Sequence, residues 1–385
     1  MTTITHHPVL IVGAGLGGLT LARVLHVHGI EAAVFDLDAS PAARAQGGML
    51  DIHEESGQAA LAAAGLLEEF RPLVHLGGQA VRVLDRHAVV HLDEEDEGDG
   101  DRPEVERGHL RDLLLDSLPA GTVRWGAKVT GARAVGGGRH EVTFADGTVL
   151  STDLLVGADG AWSRIRPLVS DALPLYTGVS FVEVELREAD RRHPESAALL
   201  GGGMFFALGE DRGFLAHREP DGSLHVYTAF RAAEDWLSGV DFTDPDTRVA
   251  KAAVLEHFTG WDERLRALVA DADGPLVARP VHALPVGHSW ERTPGVTLLG
   301  DAAHVMSPFA GEGANMAMLD GAELGLALAA HPGDTEAGLA AYEKALLPRA
   351  TAAAAASAEG LALCFRQDAP QGLLDMFAGG PGQAG

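Results

Sequence analysis

At 385 residues, 46% of them hydrophobic, the chain is long enough for two cores rather than one. A formal net charge of −26 excludes the basic face that a nucleic-acid backbone requires, and the acidity is read as solvated surface. The single cysteine, Cys364, excludes an intrachain disulfide and a cysteine-built metal site; it fits a reducing compartment, and no metal is expected.

The opening MTTITHHPVLIVG lacks the basic segment, apolar core and cleavage site of a secretory leader. His6 and His7 read as a disordered tail rather than a metal site. No apolar run reaches the roughly 20 residues that cross a bilayer, so a cytoplasmic protein with no membrane partner is expected. Residues 9–12 form a short apolar strand. Leu16, Leu19, Ala22 and Leu25 then recur at helical spacing, and residues 31–36 return as a second strand. This βαβ-type opening points to a parallel sheet. Residues 80–91 alternate as a hairpin does. The run Asp93-Glu94-Glu95-Asp96-Glu97 after them reads as a solvated loop. Residues 106–118 predict a helix, 129–150 short strands with glycine-rich turns, and 153–156 a buried strand ending in GADG. Between residues 176 and 285 the texture changes. The runs 179–186, 204–208, 213–217 and 224–230 predict an antiparallel sheet, interrupted by a helix over 246–258. Residues 295–299 resume the earlier pattern, and the Ala-rich stretch 339–364 is helical by propensity.

Gly13-Ala14-Gly15-Leu16-Gly17-Gly18 matches G-x-G-x-x-G and sits between a strand and a helix, the context that gives the motif meaning. Gly13 permits the tight turn, Gly15 lets backbone approach a pyrophosphate, and Gly18 lets helix and strand pack closely. The helix N-terminus offers free N–H groups to phosphates. Asp36, at the end of the second strand, stands where an acid accepts hydrogen bonds from a ribose. These features predict a dinucleotide, whether NAD, NADP or FAD.

Two further segments follow in order. Gly157-Ala158-Asp159-Gly160 ends a buried strand and is trailed by Ser163, Arg164 and Arg166. Gly300-Asp301 opens the stretch GDAAHVMSPFAGEGAN. With the first motif, these segments resemble the three fingerprints of the flavoprotein aromatic hydroxylases, the single-component (class A) FAD-dependent monooxygenases. Within that family, Arg44-Ala-Gln-Gly47-Gly48-Met-Leu-Asp51-Ile-His53 and Arg107-Gly-His-Leu110-Arg111 are similar to stretches of the tetracycline-inactivating flavin monooxygenases, as is the whole 300–315 segment.

The resemblance implies an α/β fold: a Rossmann-like FAD-binding domain with an inserted antiparallel-sheet substrate domain and a C-terminal helix. Residues 1–75, 100–172 and 290–340 would form the discontinuous FAD domain, 76–99 and 173–289 the substrate sheet, and 341–378 the helical segment. FAD would be held by Gly13, Gly15, Gly18, Asp36, Arg44, Asp51, Arg107, Asp159, Asp301, Pro308, Gly311, Gly313 and Asn315. Asp301 would bind the ribityl chain and the Pro308 loop would lie beside the isoalloxazine. Gly311, Gly313 and Asn315 would bring helix N-terminal amides to the pyrimidine edge, favouring the negative charge of reduced flavin. The substrate would meet His225, Met204, Leu215 and Phe309.

The implied reaction has NADPH or NADH reduce FAD, and O₂ form a C4a-hydroperoxide that hydroxylates an electron-rich carbon of a polycyclic phenol or enol such as tetracycline. No side chain is assigned as certainly catalytic; His225 and His304 are the plausible proton handlers. A monomer acting in antibiotic resistance is expected, with a biosynthetic tailoring hydroxylase, a non-oxygenating FAD reductase or oxidase, and an antibiotic-sequestering protein as alternatives. Two departures from the family pattern stand out. Phe35-Asp36-Leu37-Asp38 replaces the usual Glu then Arg, which predicts weaker FAD retention. Met204 and Leu215 replace an arginine and a phenylalanine, which makes the recognition face more apolar.

Overall fold

The apolar run 9–12 is the end of a longer strand, Thr5–Val12, in the computed structural model, which describes residues 4–43, 48–75, 78–96 and 102–379. His6 and His7 therefore belong to a strand and not to a tail. Parallel pairing carries the ladder back to Thr5↔Leu150, and the His6 ring bonds the Ser151 hydroxyl at 3.1 Å. The described residues within Met1–Val74, Val105–Leu175 and His282–Ser357 form one compact unit. Those within His75–Glu104, Tyr176–Val281 and Ala358–Gly385 form a second. The architecture is the mixed α/β fold expected.

In the first unit, a seven-stranded sheet is built around the parallel strands Ala33–Phe35, Thr5–Val12, Val149–Gly157 and Val296–Leu298. Their register aligns Phe35 with Val12, Val12 with Gly157, and Gly157 with Leu298. All four strands thus end on one edge of the sheet, so the residues that follow them in sequence emerge together. The strands read as nearly unbroken apolar runs because both faces are covered: Leu10, Ile11, Leu155 and Val296 have no exposure.

Two helices pack on this sheet, Leu16–Val27 and Glu312–Ala330. A Cβ on Gly17 would stand 2.5 Å from the Ala317 carbonyl oxygen, and one on Gly325 2.6 Å from Val24. These contacts put Gly17 beside Ala317 and Val24 beside Gly325, so the helices run in the same direction. Their N-termini lie at the same end. Glycines make so close an approach possible, and any side chain there would force the helices apart.

The second unit holds another seven-stranded sheet, in the order 273–283, 175–186, 224–231, 212–218, 204–209, 81–85, 90–94. One face carries Val182, Val184, Phe205, Phe214, Leu224, Val226 and Phe230 into a core with the helices Arg248–His257 and Glu263–Ala270. Phe214 lies 4.3 Å from Phe258 and 5.5 Å from Trp261 between ring centroids. The alternation of period two then sends His225 and Tyr227 to the opposite face. The strand Asp273–Ala283 did not stand out in the sequence. It contains Pro275 and Pro280, which a central strand excludes, and it occupies the sheet edge, where missing N–H donors cost little.

Candidate functional site

At the shared edge of the first sheet the three motifs meet. Gly13 adopts φ +109°, and a Cβ there would stand 2.1 Å from the carbonyl oxygen of Ala158, inside the second motif. A Cβ on Gly18 would stand 2.1 Å from the Gly13 carbonyl oxygen, the close approach that this glycine was expected to allow. Gly15 differs from both. It is exposed, its φ is −77°, and no atom lies within 4 Å of a built Cβ. Packing does not require glycine there; the space over it is open for a ligand.

Asp36 is 6% exposed, and both its oxygens face backbone amides: Ala14 donates at 2.6 Å and Asp38 at 2.8 Å. It therefore braces the glycine turn directly. The next residue, Leu37, is 66% exposed, as fits a position with no packing partner.

Asp159 closes its own loop. Ser163 donates its hydroxyl at 2.6 Å and Arg164 its amide at 2.6 Å to the carboxylate. Burial pushes the Asp159 carboxyl above its ordinary pKa, and these donors pull part of the shift back. Arg166, 2% exposed, then reaches from this loop to the third motif. Its Nε donates to the Ala302 carbonyl at 2.8 Å, and its Nη2 to Ala161 at 2.7 Å and Asp301 at 3.2 Å.

Gly300 takes φ +57° and caps the short helix Asp301–His304. Asp301 is the first helical residue, not the cap. Its carboxylate is exposed and, among the described residues, accepts no hydrogen bond. Behind the turn lies Asp320, with 0% exposure. One of its oxygens, Oδ2, accepts from the Gly300 amide at 2.9 Å and meets His304 Nε2 at 2.6 Å; Oδ1 accepts from Arg349 at 3.1 Å. Burial alone would lower the His304 pKa. Asp320, by charge and hydrogen bond, and Asp301, by charge, outweigh it, so the net direction is upward.

The 312–330 helix begins after Gly311, at φ +67°, without a side-chain cap. Gly313 has no atom within 4 Å of a built Cβ. Asn315, with 0% exposure, accepts from the His53 amide at 3.0 Å and donates to the Asp51 carbonyl at 2.8 Å. Asp51 lies beside the helix entrance, its oxygens 3.5 Å from a Cβ built on Gly311. Pro308 and Phe309 form the short turn before it. The hydroxyls of Ser307 and Ser357 lie 2.6 Å apart, each also within hydrogen-bond distance of the other's carbonyl, so their two protons fix that turn against the long helix Thr335–Cys364. Arg107 opens the helix Arg107–Asp116, exposed, its amide donating to Gly48 at 3.1 Å. Arg44 lies outside the described residues.

The structure thus gathers Gly13, Gly15, Gly18, Asp36, Asp159 and Asp301 at the carboxyl edge of one sheet. Asp51, Gly311, Gly313 and Asn315 form a second group around the 312–330 helix entrance. His225, Met204 and Leu215 belong to the second unit, whereas Phe309 belongs to the first. Three positions did not emerge as site residues from sequence reasoning: Arg111, Arg166 and Asp320. Arg111 is 2% exposed, donates to the carbonyls of Ala14 and Pro41, and lies 5.3 Å over the Trp125 ring. The signal for Asp320 is an acid amid the apolar residues of a helix that also carries Glu312 and Glu323; for Arg166 it is a long cation just after the second motif.

Two uncapped helix N-termini side by side, open space over Gly15 and Gly313, and an exposed carboxylate at Asp301 fit FAD well. The N-termini suit anionic groups, and the carboxylate suits a polyol. Among the described residues, no helix is long and apolar enough to cross a membrane, and no cluster of side chains could hold a metal ion.

Comparison with known proteins agrees. The family model described as FAD binding domain matches residues 6–357. Monooxygenase asqM of Emericella nidulans is 30% identical, over 96% of this chain and 97% of its own. Among solved structures, Klebsiella pneumoniae HpxO complexed with FAD and uric acid superposes with a TM-score of 0.77 at 22% identity, covering 98% and 92% of the two chains. The tetracycline destructase Tet(51) gives 0.71 at 18% identity, covering 98% and 95%. At those identities the structures establish a shared fold. The chain belongs to the FAD binding domain family and is an FAD-dependent monooxygenase.

Proposed function

We propose that the chain uses NAD(P)H and O₂ to hydroxylate a flat polycyclic phenol or enol, tetracycline or a related polyketide among them. The first unit would hold FAD and the second unit's sheet the substrate. One observation carries the substrate class: the face of that sheet turned away from its core is graded from apolar to ionisable. Cross-strand register sets Val81, Met204, His217, His225 and Glu185 in one row, and Val83, Phe206, Leu215, Tyr227 and Glu183 in the next. A flat apolar ring system suits the Met204, Phe206 and Leu215 end. A hydroxyl on its edge suits the end with His225 and Tyr227, whose rings lie 4.7 Å apart.

Burial lowers the His225 pKa, and its Nε2 has no hydrogen-bond partner among the described residues. A neutral imidazole there can accept the proton of an acidic phenol or enol, which raises the electron density of the carbon to be oxygenated. Bound FAD would take two electrons from NAD(P)H and activate O₂. Overall, substrate C–H, O₂, NAD(P)H and a proton yield substrate C–OH, water and NAD(P)⁺. Asp301 would orient the cofactor through its exposed carboxylate, and the amides of the 312–330 helix would stabilise the charge that reduction adds.

Relatives support this reading by their names. Besides monooxygenase asqM, one is a phenazine 1,6-dicarboxylic acid hydroxylase, whose named substrate is a flat fused ring system. The test is mass spectrometry of tetracycline and of simpler polycyclic phenols after incubation with the protein, FAD, NADPH and air. One added oxygen on any of them supports the reading. NADPH oxidation with peroxide release and no oxygenated product across the panel would favour a reductase or oxidase instead.

A further inference from the structure

His53 is enclosed between two carboxylates at the entrance of the 312–330 helix. Its side chain is 1% exposed. Nε2 meets Asp51 Oδ2 at 2.8 Å, and Nδ1 meets Glu312 Oε1 at 3.4 Å. The two carboxylates are partly open to solvent, at 28% and 29%. The backbone is pinned as well, through the His53 amide on Asn315. Gly57 leaves room for this arrangement, since a Cβ there would stand 2.4 Å from the Asn315 side-chain oxygen.

The placement of Glu312 is unusual for a site meant to welcome added negative charge. It is the first residue of a helix whose N-terminus carries no side-chain cap. That end presents roughly half a positive charge to whatever lies before it. A carboxylate in the first turn competes for the same field. Nε2 is hydrogen-bonded to Asp51, whereas Nδ1 stands at ion-pair distance from Glu312 without a hydrogen bond to it. With His53 charged, the trio Asp51, His53 and Glu312 carries one net negative charge; without Glu312 it carries none.

We propose that Glu312, anchored by His53, sets the reduction potential of the flavin by opposing the negative charge that reduction brings to the pyrimidine edge. The proposal rests on the reading of Gly311, Gly313 and Asn315 as the flavin's pyrimidine contacts. His53 is the positioning residue and Glu312 the source of the field. The exposed Glu54 and Glu55 in the following turn add background charge, but neither is held against the helix entrance by an imidazole.

The experiment is a midpoint-potential titration of the FAD-reconstituted wild type, Glu312→Gln and His53→Gln against a reference dye. Bound flavin is verified first by its visible absorption. Glu312→Gln keeps the shape and removes the charge, so its potential should shift upward while oxidised FAD still binds. In this proposal His53 acts as the imidazolium, so His53→Gln removes a cation, leaves both acids and should shift the potential downward. Opposite signs from two neighbouring substitutions would not arise from loosened packing. An unchanged or lowered potential in Glu312→Gln, with FAD bound, would overturn this inference and leave the flavin site standing. A wild type that binds no FAD would overturn both.

Discussion

Arg166 and Asp301 are joined through backbone: the guanidinium donates to the Asp301 carbonyl at 3.2 Å and to the Ala302 carbonyl at 2.8 Å, leaving the Asp301 carboxylate free to face outward. A buried cation thus holds the turn while its acid stays available. Arg166→Met removes the donors and strands buried carbonyls. The expected cost is about 2–4 kcal/mol of stability, together with weaker FAD binding. Urea denaturation and FAD titration of the same variant check both.

Asp301→Ala tests the acid itself. The carboxylate makes no hydrogen bond within the described protein, so the apoprotein should melt close to the wild type. A lost charge-assisted hydrogen bond to the flavin should weaken binding by roughly 10- to 100-fold. Flavin absorbance retained after gel filtration at the wild-type level would show that Asp301 is not a cofactor contact.

His304 gives a pH-dependent prediction. Its pKa in the fold is raised above the ordinary histidine value, so the folded state binds the proton more tightly. The stability gained from the His304–Asp320 pair is then fully present below the ordinary value and fades as pH rises through the raised one. His304→Gln should destabilise most at about pH 6 and progressively less towards about pH 9. Calorimetric melting at several pH values checks it; a deficit that grows with pH would contradict the assignment.

Much of the first unit was legible because glycine and aspartate report backbone geometry locally. Gly13, Gly18 and Gly300 mark turns and approaches that no other residue permits, and strands pointing at them follow from apolar runs. The alternating strands around Met204, Leu215 and His225 were legible for the same local reason. Partners distant in sequence were not. Arg166 and Ala302 lie 136 positions apart, and nothing near Arg166 announces that its guanidinium will turn inward. No sequence neighbour of Asp320 marks its role; the fold places His304 and Gly300 against it. The helices Pro194–Leu200 and Glu263–Ala270 were also missed, being too short for a clear period.

Gly18 and Gly15, three residues apart, should respond in opposite ways. A methyl on Gly18 meets the Gly13 carbonyl oxygen at 2.1 Å, backbone that has no room to move. Gly18→Ala should lower the stability of the apoprotein by about 1–3 kcal/mol or more, seen as an earlier urea midpoint.

The most direct test of the account is an FAD titration of Gly15→Val beside the wild type, followed by flavin fluorescence, with the melting temperature of each apoprotein measured in parallel. Gly15 has an ordinary φ and open space before it, so only a ligand approaching the backbone should be affected. The expected result is one FAD bound per wild-type chain, and a variant that melts like the wild type yet binds FAD far more weakly. Equal FAD affinity in the two proteins would contradict a flavin site at the meeting point of the three motifs.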